Sequence, residues 1–154
     1  MRIIVSRPLT ASLGDVKALE LAVDFQAYKL DPGGQAGISF GRDKDCLFPD
    51  VVVKNGVRHV HMEEDSVVSK WQAIWDRRGS QDEYTSDKLL IYGGIPDPSY
   101  PQNMIPVMLL DILSPKGHSL LADFDGMKAL GEMFLEEISA YSIRLPSDHW
   151  VYAK

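Results

Sequence analysis

Cysteine is almost absent: Cys46 is the single one in 154 residues. One thiol cannot close an intramolecular disulfide, so a packed core in a reducing compartment is the expectation. Long apolar runs are missing too. No window approaches the roughly 20 residues that span a bilayer. The opening Met1-Arg2-Ile3-Ile4-Val5-Ser6-Arg7 is too short an apolar run for a signal peptide, and the expected location is the cytoplasm, with no membrane partner. The chain has no Gly-rich phosphate loop before a helix, no Gly-x-Ser-x-Gly elbow and no His-Glu-x-x-His helix. Nucleotide hydrolysis, serine-hydrolase chemistry and helix-borne zinc therefore lack support. Positive charge is short as well. Sixteen Lys and Arg against 22 Asp and Glu leave a net charge of −6, which argues against non-specific coating of nucleic acid.

What is present fits one compact domain over residues 1–154, since 45% apolar content suffices for a full-sized core. The charge is uneven. Residues 1–62 carry 8 Lys+Arg against 7 Asp+Glu, whereas residues 63–154 carry 8 against 15. Arg42, Lys44, Lys54 and Arg58 thus suggest a local basic site on an acidic body.

Hydrophobic periodicity orders the elements. Ile3-Ile4-Val5 reads as a strand. A helix is expected from Ser12 to Leu30, with Ser12 as cap, Asp15 in the capping-box position, and Val16, Leu19, Val23 and Ala27, joined by Leu21, Phe25 and Tyr28, as its buried stripe. Asp31-Pro32-Gly33-Gly34 should end it. Val51-Val52-Val53, Arg58–Met62, Leu89–Tyr92 and Met104–Leu113 read as strands, with Asn55-Gly56 as a hairpin turn and Pro106 near the last strand's beginning. Trp71, Ile74 and Trp75 have helical spacing, Gly93–Asn103 is a loop, and a second long helix follows Asp123 or Asp125 to Tyr141. Strand, helix, antiparallel strands and helix together imply an α+β domain, an antiparallel sheet with its helices on one face.

Four polar strings carry the chemistry: Phe40-Gly41-Arg42-Asp43, Arg58-His59-Val60-His61, Thr85-Ser86-Asp87 and Gly117-His118. Each sits at or beside a strand. Alternation along Arg58–Met62 puts His59 and His61 on one face. Same-face histidines can ligate zinc, but no Cys partner accompanies them, and acid/base or phosphate-contacting use is favoured over a metal. A solvated strand face for the histidines, a plain turn for Phe40–Asp43 and a turn histidine at His118 are the plainer readings. Trp71 and Trp75 read as core cover, with base stacking left open by Arg77 and Arg78.

Taken in order, these strings resemble the YafO family. The resemblance rests on Asp24-Phe25 with Tyr28-Lys29, Phe40-Gly41-Arg42-Asp43, His59-Val60-His61, Ser86-Asp87 before Leu90-Ile91-Tyr92, Ile112-Leu113-Ser114-Pro115 with His118, and Met127 with Gly131 and Met133. It covers about residues 20–142, with 143–154 as an extra tail. It implies a RelE-like fold and a type II toxin, a ribosome-associated mRNA endoribonuclease neutralised by a cognate antitoxin. No cofactor is implied. The chemistry would be metal-free transesterification by a ribose 2′-hydroxyl, which needs a base, an acid and positive charge on the phosphate. His59 and His61 are the expected acid/base pair, in either order. Arg42 and Arg58 are expected on the phosphate, Asp43 orients one of them, and Ser86, Tyr92 and His118 contact substrate. The competing readings are a non-catalytic α+β binding module and an inactive regulatory relative.

Overall fold

The computed structural model describes residues 1–31, 39–101, 104–143 and 147–153. Strands β1 (Ile3–Val5), β2 (Phe40–Asp45), β3 (Arg58–Met62), β4 (Leu89–Gly94), β5 (Val107–Leu113) and β6 (Val151–Ala153) form one sheet in the order β2-β3-β4-β5-β1-β6. Every pairing is antiparallel except β1 with β5. The α+β class and the mostly antiparallel sheet are as expected, and the fold is consistent with the RelE-like type.

Helices cover both faces rather than one. Helices α1 (Arg7–Leu13) and α2 (Asp15–Leu30) pack on the face of Val5, Val60, Leu90 and Leu109. Helices α3 (Asp50–Lys54) and α6 (Phe124–Ser142) pack on the face of Ile4, Leu89, Ile91 and Met108. The cause is in the central strands. Leu89-Leu90-Ile91 and Met108-Leu109-Leu110 are apolar at consecutive positions, so both faces must be withdrawn from water.

Several local expectations give way to tertiary packing. Val51-Val52-Val53 is helical in α3, where Val52 is buried and a Cβ on Gly131 of α6 would meet Val51 at 2.8 Å. The β-branched preference of three valines is outweighed by that helix contact. Asn55-Gly56 accordingly closes a helix instead of a hairpin. The single helix over 12–30 is two, because Gly14 at φ +83° breaks it. Ser6 caps the first, its Oγ accepting from the Leu9 amide, and Ser12 caps nothing. On α2 the outlying residues of the expected stripe are inverted: Leu21, Phe25 and Tyr28 are buried, while Val16, Leu19 and Val23 face water. The Pro32-Gly33-Gly34 stop, Gln102 and Asn103 of the long loop, and residues 144–146 of the tail lie outside the described residues.

Two features extend what the pattern offers. Strand β6, in the tail, pairs with β1 and brings Trp150 into the core. Trp71, on α4 (Val68–Asp76), is fully buried, and its indole N–H donates to the Thr85 carbonyl at 2.9 Å; Trp75 remains 41% exposed. No helix among the described residues is long and apolar enough to cross a membrane.

Candidate active site

Strands β2 and β3 form the edge of the sheet that carries most of the polar strings. Their register sets Asp43 opposite Val60, Lys44 opposite His59 and Asp45 opposite Arg58. Strand alternation then sorts neighbours in sequence to opposite faces. A cavity of about 430 Å³ is lined by Arg42, Lys44, Phe48, His59, His61 and His118 among others. Asp43 and Arg58 point to the other side, toward Tyr28 and Tyr92.

Three imidazoles meet in the cavity. The His61 ring centroid lies 6.0 Å from that of His59 and 5.2 Å from that of His118. His61 is buried, and its Nδ1 lies 2.8 Å from both the amide nitrogen and the carbonyl oxygen of Ser86. Either tautomer is therefore satisfied at Nδ1, and Nε2 is left for other use. Burial, then the nearby His118 and His59 rings and Arg42, pushes the His61 pKa down to about 4 despite the Ser86 backbone contact. His59 is half-buried and shifted the same way, mainly by desolvation, with the Cys46 thiol 3.8 Å from its Nδ1. Burial raises the Cys46 thiol to about 12, which leaves it protonated and unsuited to nucleophilic attack.

His118 has a dedicated orienting group. Its Nδ1 lies 2.8 Å from the Asp87 carboxylate, which also accepts from the His118 backbone N–H at 2.9 Å. Those bonds hold Asp87 below the usual carboxylate range. The geometry exists because residue 117 is glycine. On helix α5 (Gly117–Leu121) the Gly117 amide donates to the Asp87 carbonyl at 2.8 Å, and a Cβ there would meet that oxygen at 2.7 Å. Gly41 has a comparable role on β2. A Cβ would meet the Tyr84 carbonyl oxygen at 2.3 Å, the same oxygen that accepts from the Arg42 amide. Arg42 is exposed, and among the described residues its guanidinium makes no ion pair or hydrogen bond.

The opposite side of the same strands holds a closed network. Asp43 accepts from Lys29 Nζ at 2.9 Å, Arg58 Nε at 3.1 Å, the Tyr28 hydroxyl at 2.9 Å and the Tyr92 hydroxyl at 2.7 Å. Burial opposes the Asp43 charge, but Lys29, Tyr92 and Arg58 together hold its carboxyl below the ordinary range. Burial and the Asp43 charge raise the Tyr92 phenol well above its usual value. Arg58 also pairs with Asp45.

Of the residues singled out in sequence, the structure therefore groups His59, His61, Arg42 and His118. It separates Arg58, Asp43 and Tyr92 from them. Arg58 and Asp43 do pair as expected, but away from the histidines. Ser86 supports His61 through its backbone, while its hydroxyl donates to the Lys88 carbonyl. Asp87 and Phe48 complete the site and are not among the expected site residues; Lys44, expected only as part of a local basic patch, lines it too. Asp87 was visible inside Thr85-Ser86-Asp87; only the fold shows that it meets Gly117-His118. Among the described residues no three His, Cys, Asp or Glu side chains are arranged to hold a metal ion.

The family model described as toxin YafO, type II toxin–antitoxin system, matches residues 26–136, well over half of the chain. The chain belongs to the YafO toxin family, which implies a cognate antitoxin as partner. No curated protein and no solved structure matches it significantly.

Proposed function

We propose that the histidine cavity cleaves RNA by metal-free transesterification, and that the protein acts as a ribosome-dependent mRNA endoribonuclease that inhibits translation. The observation that carries this reading is the convergence on one cavity of three imidazoles and of Arg42, which is unpaired among the described residues. The 2′-oxygen loses its proton and bonds to phosphorus as the bond from phosphorus to the 5′-oxygen breaks. The products are a 2′,3′-cyclic phosphate and a 5′-hydroxyl. His59, kept neutral by burial, takes the 2′ proton, and His118, oriented by Asp87, delivers one to the 5′-oxygen. His61 stands between them as a neutral ring tied to Ser86. The Arg42 fork binds the non-bridging oxygens, which gain charge in the transition state, with Lys44 alongside. Positioning of the mRNA by the ribosome would let modest intrinsic chemistry suffice.

The test is primer extension of cellular mRNA after induced expression, with His59→Ala and His118→Ala variants at equal soluble level and unchanged melting temperature. New 5′ ends with the wild type, lost in both variants, are expected. Intact mRNA with the wild type would favour a non-catalytic binding module.

A further inference from the structure

Helix α2 is apolar on two opposite sides. Ala18, Leu21, Ala22, Phe25 and Tyr28 are buried against the sheet. Val16, Leu19, Val23 and Leu30 are 73, 46, 48 and 66% exposed. With 3.6 residues per turn, those four fall within a stripe about 60° wide on the side away from Phe25. Their spacing of three, four and seven is the seam that a second helix packs against. A helix apolar on both sides belongs between two layers, and among the described residues only the inner layer is present.

The edges of the stripe indicate what covers it. Glu20 and Asp24 line one edge and Asp15 the other, all exposed, and among the described residues none has an ion pair. The helix has two lysines, and Lys29 is turned inward onto Asp43. Only Lys17 offsets the carboxylates. An antiparallel pair of α2 helices would set Glu20 and Asp24 against the same residues of the second copy, and a parallel pair would set them against Asp15. Like charges disfavour both.

We propose that the outer face of α2 is the docking surface for a basic amphipathic helix of the partner protein, an apolar seam edged by Lys or Arg. The proposal rests on the family's implication that an antitoxin is that partner. The surface lies across the sheet from the histidine cavity, so this helix supplies affinity without itself filling the active site. Most of the stripe precedes residue 26, where the family match begins, which suits recognition particular to this pair.

The test is the Leu19→Lys, Val23→Lys double variant, titrated with the cognate antitoxin and compared with the wild type. Two synthetic helices sharing one leucine seam, one lysine-flanked and one glutamate-flanked, serve as competitors. The expected result is antitoxin affinity about thirtyfold or more weaker, as for loss of interface hot spots, at unchanged melting temperature. The lysine-flanked helix should displace antitoxin from the wild type and the other should not, with displacement weakening as salt rises. Expression of the variant should remain toxic and escape neutralisation. Wild-type antitoxin affinity in the variant would overturn the surface and leave the toxin–antitoxin reading standing. Failure of the wild type to bind antitoxin at all would overturn both. A concentration-dependent wild-type dimer, abolished in the variant, would assign the stripe to a second copy and overturn the proposal.

Discussion

Arg42 and Asp43 are neighbours in the chain, as are Arg58 and His59, yet the sheet sends the members of each pair to opposite sides and different tasks. On the α2 side, Lys29, Arg58, Tyr28 and Tyr92 converge on Asp43 until its carboxylate is fully engaged. On the cavity side, Arg42 has no ion pair or hydrogen bond to its guanidinium among the described residues, and three imidazoles stand together. A saturated network of charges holds elements in place, because removing any member strands another. An unsaturated one leaves binding capacity for a ligand. On the proposed reading the first cluster serves stability and the second function, although the sequence strings mix the two.

The largest effect that would sharpen this contrast is on activity. Arg42→Ala should lower mRNA cleavage by about 10²–10³-fold, as loss of a charge-stabilising donor does, while denaturant unfolding stays within about 0.5 kcal/mol of the wild type. Arg42→Lys should restore cleavage only in part, since an ammonium lacks the planar fork. Next comes the stability side. Asp43→Ala should cost about 3 kcal/mol in urea unfolding, because Lys29 and Arg58 lose their shared anion in a largely buried setting. If Asp43→Ala proved neutral to stability and Arg42→Ala unfolded the protein, the assignment of the two faces would be reversed.

A smaller effect is expected from pH. The His61 pKa falls from an ordinary 6.5 to about 4 on folding. Below its unfolded value the unfolded chain binds the proton more readily, so the neutral buried ring stabilises fully above about pH 6.5. That contribution is lost as pH falls toward 4, at most about 3 kcal/mol at roughly 1.4 kcal/mol per pKa unit. Melting curves from pH 7 to 4 should show a decline that is shallower in His61→Asn. Parallel declines for the two proteins would place the proton elsewhere. Smallest is Tyr92→Phe, which removes one hydroxyl from the Asp43 network. It should cost about 1–2 kcal/mol and leave cleavage by the cavity unchanged at permissive temperature.

Much of this was legible in the chain. The strands at 3–5, 58–62 and 89–92 follow from apolar and β-branched runs, although the last runs on through Gly93 and Gly94, which were expected in the loop; the shared face of His59 and His61 follows from strand alternation alone. The family resemblance was carried by short strings whose order survives in the fold. Two things were not legible. Alternation along β3 already sets Arg58 opposite His59 and His61, and along β2 it sets Asp43 opposite Arg42, so grouping each string whole with the histidines overlooked it. What alternation within one strand does not tell is whether Arg42 or Asp43 lies on the histidine side of the sheet, which the β2–β3 register decides. Helical periodicity likewise finds apolar stripes without saying which one is buried. On α2 both stripes are apolar, and the one led by Val16, Leu19 and Val23 turns out to face water. The His118–Asp87 pair depends on a backbone approach at Gly117 across 31 positions, which no local spacing reveals.

The division of the two faces is tested most directly by side-chain nitrogen NMR during titration with an RNA oligonucleotide carrying a 2′-deoxy substitution that blocks cleavage. Histidine ring and arginine Nε signals report the cavity and the Asp43 network in one experiment. Shifts at His59, His61, His118 and Arg42, with Arg58 unmoved, are the expected result. Shifts at Arg58 with the three histidines silent would contradict it.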